Sequence, residues 1–473
     1  MAENENIAKT SNTTGNENIL GTEKIGKLLL TYSVPGVISM LVNSIYNMVD
    51  QIFIGRGVGY LGNGATTVSF PFVQLLLALA IMTSAGTAAN AGLNLGRKEQ
   101  RKADSFVGSG FGLALFWGIM LLVMGELFMV PLLNFFGATP DNLPYAISYS
   151  RIVLIGFPFV TTSIMMNDII RADGMPRFAM ISMLAGAVVN IILDPIFIFV
   201  FHWGVAGAAL ATILGQILSC FLSLWKFRSL RTLHFKPADM VPEFSRLKLI
   251  MLIGMSAFLT QMANLVSQII LNNQAAKYGL LSEYGADIPV TCFGITMKIV
   301  SLMMSMIIGI SNATQPIFAY NFGAKKYDRV GELIKKAALT TIAVGFVGWI
   351  FFQTMPGQII GIFGQESDLY NKFGIMCLKN MTLTIFVMGI PMLAGVYFQS
   401  VGKPMRAVVL ALSRQIIFLI PIIVILPMFI GLPGVMYAYP IADVFSIVLS
   451  VVLFSMELKL LKKMSHEQAV DAG

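Results

Sequence analysis

Long apolar runs alternate with short polar loops along nearly the whole chain. Each run holds roughly 20–30 residues, enough for a helix rising ~1.5 Å per residue to cross ~30 Å of hydrocarbon. Helices are expected because a segment in lipid must satisfy its own backbone hydrogen bonds. The pattern predicts twelve transmembrane helices, at residues 26–54, 64–93, 106–130, 144–168, 179–201, 206–226, 249–273, 289–318, 337–355, 373–397, 408–429 and 434–456.

The composition agrees with a membrane protein. The chain has 473 residues, of which 56% are hydrophobic and only 12% are charged. A soluble protein cannot cover its surface with so few charges, so the excess apolar surface must face lipid. We therefore predict an all-α polytopic membrane protein.

The basic residues alternate between the predicted loops. Twenty-five of the 32 lysine and arginine residues lie in loops on one side, whereas only Arg56, Lys277 and Lys372 lie in loops on the other. The positive-inside rule then places both termini in the cytoplasm and the chain in the cell membrane. Because the charge follows the loops, the net charge of +8 does not indicate a nucleic-acid partner.

The two halves of the chain resemble each other at an offset near 227. The matching segments are Asn94-Leu95-Gly96-Arg97-Lys98 with Asn321-Phe322-Gly323-Ala324-Lys325, Phe136-Gly137 with Phe363-Gly364, Gly174-Met175-Pro176 with Gly402-Lys403-Pro404, and Gly204-Val205-Ala206-Gly207 with Gly431-Leu432-Pro433-Gly434. Six helices per half give both halves the same orientation, which predicts two six-helix lobes related by a parallel, pseudo-twofold repeat. We predict a cytoplasmic tail (1–24), an N-lobe (25–226), a linker (227–248), a C-lobe (249–456) and a C-terminal tail (457–473).

Two acids, Asp50 and Asp194, lie inside predicted membrane helices. Carboxylates there cost several kcal/mol and tend to face a cavity, a partner or an ion. Asp50, Asp194 and Thr212 would lie ~9, ~12 and ~13 Å from the outer ends of their helices, and Asn190 shares a face with Asp194. This layer predicts a coupling site, in which Asp50 and Asp194 hold either a proton or Na⁺, with Asn190 and Thr212 as further oxygen ligands and Tyr149 nearby. The alternative is polar contact that only joins helices.

The second half does not repeat these acids. Aligning Asn47 and Gln51 with Asn264 and Gln268 places Ser267 opposite Asp50. Lys298 and Asp443 are predicted to lie ~13 Å below the outer surface and to form an ion pair. Pro35 is expected to bend the first helix or merely to loosen it. A substrate path is predicted along Asn43, Asn47, Asn167, Gln261, Asn264 and Gln268.

In this order, the residues resemble the MATE (multidrug and toxic compound extrusion) family over nearly the whole chain. Each short motif is weak alone, but their order within a twelve-helix chain is specific. The resemblance rests on Pro35, Asn47 to Asp50, the Gly96-Arg97-Lys98 loop, Arg171 to Arg177, Asn190 to Pro195, and Gly204 through Thr212.

The resemblance implies a V-shaped pair of lobes that exports organic cations and other amphipathic compounds in exchange for Na⁺ or H⁺, without another cofactor. It implies a cation site at Asp50, Asn190, Asp194 and Thr212, with Tyr149 nearby, and a bend at Pro35. Other branches of the family place acids in segments 7 and 8, where this chain has Gln261, Asn264, Gln268 and Lys298. The expected molecule is a monomer in the lipid bilayer.

Other classes of protein fit the sequence less well. A lipid-linked saccharide flippase of the wider superfamily is the nearest alternative, but it favours a basic cleft, and the predicted cleft has few cations. A channel needs no coupling site. An ATP-driven pump needs a phosphate-binding loop that the sequence lacks, and an enzyme is disfavoured because the three histidines lack metal-ligand spacing. We predict an alternating-access antiporter, with Na⁺ and H⁺ left open because the same oxygens serve both.

Overall fold

The computed structural model describes residues 19–241, 243–285, 287–362 and 367–471, and these residues form helices and turns without a strand. Twelve helical segments form the bundle, which confirms the prediction of an all-α polytopic membrane protein. They are α1 (Ile25–Val58), α2 (Tyr60–Gly96), α3 (Gln100–Leu127), α4 (Leu143–Ala172), α5 (Pro176–Pro195, continued by a π-helical turn at Ile196–Val200), α6 (Gly204–Phe227), α7 (Phe244–Leu280), α8 (Asp287–Gly323), α9 (Tyr327–Thr354), α10 (Asp368–Met381 and Gly389–Ser400), α11 (Pro404–Leu412, a π-helical segment at Ser413–Leu419, and Ile420–Ile430) and α12 (Leu432–Asp471).

The tenth segment differs from its prediction as one straight span over 373–397. Among the described residues, eleven helices are continuous and apolar enough to cross a membrane, whereas α10 consists of Asp368–Val387 and Gly389–Ser400 bent by 46°. Pro391 explains the break, because it has no N–H for the carbonyl of Val387 and its ring clashes there. A proline signal was therefore present in the sequence, inside an otherwise uniform apolar run.

The predicted repeat is visible in the loops that follow α2 and α8. Lys98 and Lys325 both adopt the left-handed conformation, with φ of 63° and 59°, which is uncommon for a residue other than glycine. Each donates its N–H to the carbonyl three residues earlier, at 3.0 and 3.1 Å. The matching motifs thus fold into the same turn. Gly174 and Gly402, which also match, both have positive φ; Phe363 and Gly364 lie outside the described residues.

The first half (α1–α6) and the second half (α7–α12) meet at one end of the bundle. We call it the basic end, because α1 begins there and the loops rich in lysine and arginine lie there. A Cβ atom on Gly86 would lie 2.0 Å from the carbonyl oxygen of Ile250, and one on Gly254 would lie 1.9 Å from that of Met82. These contacts admit no side chain. The basic end is therefore tightly closed by backbone packed on backbone.

The hydrogen bonds between the halves are confined to the same part of the bundle. Among the described residues, they lie between the basic end and a pair of hydroxyls, Ser44 and Ser305, whose oxygens are 2.5 Å apart. Gln315 in α8, for example, donates to the carbonyl of Ala85 in α2 at 3.1 Å. Among the described residues, hydrogen bonds therefore join the two halves towards the basic end and do not join them at the opposite end.

Helix α1 belongs to both halves. Leu28, Leu29 and Tyr32 pack into a core with α8 and α9 of the second half, whereas Ile54 packs against Ile198 and α6 of the first half. Pro35 lies between the two packed regions, and α1 continues through it as one helix. The bend at Pro35 remains a prediction.

Both predicted tails contain helical residues. The predicted tail over 457–473 is helical as far as Asp471, and Glu457 is fully buried. The Glu457 carboxylate binds Lys403, Arg406 at 2.6 Å and the Tyr397 hydroxyl at 2.9 Å. Apolar periodicity ends near this charged residue, so the sequence pattern stops before the packed helix does. Of the predicted N-terminal tail, residues 1–18 lie outside the described residues, and Ile19–Thr22 forms a helical turn.

The predicted linker over 227–248 is docked on the first half. The buried Asp173 carboxylate accepts hydrogen bonds from the N–H groups of Arg231, Thr232 (2.8 Å) and Leu233 (2.9 Å), and from the Thr232 hydroxyl. Asp104 accepts the N–H of His234 at 2.8 Å. Further along, Asp239 pairs with Arg101 of α3 at 2.8 Å. The connection is therefore a fixed part of the first half up to residue 240, and α7 begins at Phe244.

Candidate cation-binding site

Two residues of α5 form the centre of the candidate site. Asp194 is fully buried and Asn190, one turn earlier, is 2% exposed. They share a face because residues four apart stack on a helix. Pro195 follows at once, and the chain then widens into the π-helical turn Ile196–Val200. Such turns are frequent at functional sites, and this one places the end of α5 beside α1.

Asn190 connects the acid to α6. Its amide nitrogen donates to Oδ1 of Asp194 at 3.2 Å and to the Thr212 hydroxyl at 3.2 Å. The amide is therefore oriented with its nitrogen towards these two partners. Its carbonyl oxygen, Oδ1, is left facing the rest of the site.

Asp50 of α1 completes the constellation. Its carboxyl group is half-buried and lies within hydrogen-bonding range of the Asp194 carboxyl group. Oδ1 of Asp50, Oδ2 of Asp194 and Oδ1 of Asn190 are all buried, and none accepts a hydrogen bond from a described residue. Leaving a buried acceptor unsatisfied costs about 1–3 kcal/mol, and more when it is charged. Two adjacent carboxylates also repel each other.

These three oxygens fit a small hard cation. Carboxylate and amide oxygens are the ligands that such ions prefer, and a cation would satisfy all three atoms at once. A proton shared between the two carboxyl groups would satisfy part of the same set. The chemistry of the donor set therefore fits either Na⁺ or H⁺, as the sequence predicts.

Aromatic side chains form a wall beside the acids. Tyr149 and Phe53 both pack against the buried cluster that contains Ile54 and Ile198. Tyr149 also lies within electrostatic range of both Asp50 and Asp194. Tyr46 also lies within electrostatic range of both acids, yet the sequence analysis missed it. Its signal was its position, four residues before Asp50 and therefore on the same face of α1.

The predicted ion pair in the second half has the wrong cation. Asp443 pairs with Arg414, whose Nε lies 3.0 Å from Oδ1, while the Thr384 hydroxyl donates to Oδ2 at 2.8 Å. Lys298 is exposed and does not pair with Asp443. The depth argument missed Arg414 because this residue lies nearer the basic end of α11 than Asp443 does on α12, yet its long side chain reaches the acid. The broken part of α10 brings Thr384 to the same acid.

The predicted substrate path divides into three groups. Asn43 and Asn47 are exposed, and the Asn47 amide donates to the Asn43 carbonyl at 2.6 Å. Asn264 and Gln268 line a cavity of about 260 Å³ in the second half, and Gln261 is half-buried on the same helix.

Asn167 is a correction to that path. It is 3% exposed, donates to the Ser163 carbonyl at 2.9 Å and accepts from the Ser223 hydroxyl at 3.3 Å. The residue therefore joins α4 to α6 and does not face a path. A lone polar residue in an apolar run gives the same sequence signal in both situations.

The fold defines a twelve-helix membrane transporter. The MatE family model matches residues 35–196 and 257–425, and the chain belongs to this family of MATE transporters. It is a transporter and not an enzyme.

Among its relatives, the multidrug export protein MepA of Staphylococcus saprophyticus is 27% identical over 424 residues, which cover 88% of this chain and 90% of MepA. A crystal structure of MATE in the straight conformation has a TM-score of 0.88 at 24% identity and covers 95% of this chain and 100% of that chain. A MOP superfamily transporter from Pyrococcus furiosus, for which a reversed polarity of the binding pocket suggests a different function, has a TM-score of 0.87 at 23% identity, with 95% and 99% covered. The fold is thus shared by proteins whose pockets differ in polarity, so the substrate must be inferred from the residues of this chain.

Proposed function

We propose that this transporter is a cation-coupled antiporter that exports organic cations, drugs and other small amphipathic compounds. The observation that carries the proposal is the set of three buried oxygens on Asp50, Asn190 and Asp194 that have no donor. The similarity to a multidrug export protein supports the substrate class. The positive-inside rule supports a cytoplasmic basic end, with both termini on that side.

The coupling is proposed to run through α1. Asp50 lies on the part of α1 that packs on the first half, and the start of the same helix packs into the second half. Occupancy of the site relieves the repulsion between Asp50 and Asp194, so it favours arrangements in which α1 and α5 are close. A ligand shifts a conformational equilibrium only by its difference in affinity for the two states. Na⁺ or H⁺ therefore drives export by binding one arrangement of α1 more tightly.

Asp50→Asn is the direct test. The amide keeps the size of the side chain but removes the charge, so gradient-driven export of ethidium from proteoliposomes is expected to fall to the level of protein-free vesicles. Asp287→Asn, at an exposed position at the start of α8, is the matched control and is expected to export normally. Undiminished gradient-driven export by Asp50→Asn, with a normal yield of folded protein, would overturn the proposal.

The same assay identifies the coupling ion. A Na⁺ gradient and a pH gradient are imposed separately across vesicles that contain the wild-type chain, with all other ions balanced. Export driven by one gradient alone identifies that ion, and export driven by either indicates competition for the same oxygens. Equal export without any gradient would contradict antiport.

A further inference from the structure

The cavity of about 260 Å³ in the second half has an apolar wall and a small polar floor. Five methionines from α8 and α10 supply most of the wall. Methionine side chains adapt to ligands of different shape. The five methionines of the wall are Met297, Met304, Met381, Met388 and Met392. This lining fits the flat apolar body of an amphipathic compound.

Two residues of the cavity correspond to positions of the cation site in the first half. Ser267, which aligns with Asp50 when Asn47 and Gln51 are aligned with Asn264 and Gln268, lies on its wall. Tyr439, which matches Thr212 at the offset of 227, also lies on its wall. The first half has two acids here, Asp50 and Asp194, and neither forms an ion pair with a basic side chain of the described residues. In the second half, one acid, Asp443, is already paired with the Arg414 guanidinium. The cavity therefore has no unsatisfied carboxylate that requires a coupling ion.

The hydrogen bonds of the Arg414–Asp443 ion pair use both acid oxygens but leave N–H donors of the arginine available to a ligand. Both oxygens of Asp443 are occupied, Oδ1 by Nε of Arg414 and Oδ2 by the Thr384 hydroxyl. A guanidinium carries five N–H donors. Only the Nε–H of Arg414 has an acceptor among the described residues. The side chain is 21% exposed and lines the cavity, so its remaining N–H groups are available to a ligand.

We propose that this cavity binds amphipathic compounds through an acidic group, with the carboxylate or sulfonate on Arg414 and the apolar body against the methionines. Guanidinium binds planar anionic groups with paired hydrogen bonds, which makes it selective for them. The inference rests on the proposed export function and extends its substrates from cations to zwitterions and anions.

The test compares rhodamine B, which carries a free carboxylate, with its ethyl ester, which does not. Binding of each dye to the purified full-length chain in detergent is followed by fluorescence anisotropy, without any ion gradient. The Arg414→Gln/Asp443→Asn double variant removes both charges together, so that no buried carboxylate is left unpaired. Loss of a charge-assisted hydrogen bond predicts about tenfold weaker binding of rhodamine B, and a change below about twofold for the ester.

Arg151→Gln, at an exposed arginine of α4 that is 3.4 Å from Glu126, is the matched control and is expected to bind both dyes normally. Thermal melting and size-exclusion profiles establish that each variant is folded. Rhodamine B affinity that is unchanged in the double variant would overturn the proposal, and so would equal weakening of both dyes. Because no gradient is present, a failure of ion coupling at Asp50 leaves these affinities unaffected, so the two proposals fail separately.

Discussion

At the scale of single residues, the second-half acid is satisfied by its protein neighbours and the first-half acids are not. Asp443 has a guanidinium and a hydroxyl on its two oxygens, whereas Asp50 and Asp194 each keep one oxygen without a donor. The sequence predicts where the acids lie, because each interrupts an apolar run. It does not predict their partners, because those depend on the rotation of neighbouring helices and on the break in α10.

Asn190 provides a prediction at this scale. Its amide holds Asp194 and Thr212 while its oxygen faces the proposed ion, so Asn190→Ala removes one ligand and loosens another. The concentration of coupling ion that gives half-maximal export is expected to rise about tenfold, which corresponds to the loss of one or two hydrogen bonds. Asn167→Ala is the control, because Asn167 is also buried and hydrogen-bonded but lies away from the acids. It is expected to lower thermal stability without changing this concentration, and equal shifts in both variants would contradict the assigned role.

At the scale of elements, the helices follow the hydrophobic pattern more closely than their ends and breaks do. Eleven predicted spans coincide with continuous membrane-length helices of the described residues and the tenth with the bent pair of α10, because a helix satisfies its own backbone groups in lipid. The pattern does not show that α12 continues past Glu457, because the polar residues at the end of this helix resemble those of an unstructured tail in the sequence. It also does not show that residues 228–240 are held by buried acids, since Asp104, Asp173 and Asp239 look like ordinary loop residues in the sequence.

Asp173 provides the prediction at the scale of elements. Asp173→Ala leaves three backbone N–H groups of residues 231–233 without their acceptor, so the docked connection is expected to loosen. The expected loss is roughly 2–4 kcal/mol, because hydrogen bonds to a charged group are strong, and it is measured as a lower melting temperature of the purified protein. Asp141→Ala removes an exposed acid of the first half and is expected to melt like the wild type. If the two variants melt together, the connection is not held by Asp173.

At the scale of the whole molecule, the two halves touch through glycine at the basic end. The proposed antiport by alternating access requires this end to open, and the absence of side chains at Gly86 and Gly254 allows it to close fully. The closed state of the basic end therefore depends on positions where only hydrogen fits. In the proposed cycle, these contacts favour the state in which the basic end is closed.

Gly254→Ala tests this dependence. The added Cβ atom would lie 1.9 Å from the Met82 carbonyl oxygen, so the halves must separate there and export is expected to fall. Spin labels at Lys102 and Lys335, exposed residues of the two halves near the basic end, are expected to show a larger population at long distance in pulsed electron resonance. Gly294→Ala is the control, since nothing lies within 4 Å of its Cβ position. Identical distance distributions in both variants would show that the basic end closes without this contact.

The docked connection between the halves also limits how the basic end opens. The chain is fixed to α3 as far as Met240, and α7 begins at Phe244, so three residues join the two bodies. A stretch this short spans at most ~14 Å even when fully extended. The edge formed by α3 and α7 is therefore expected to act as the hinge of this opening. In the proposed transport cycle, we therefore expect opening to be widest at the far edge, where α1 and α9 lie, so that a solute entering from the basic end passes along that edge and not past the hinge.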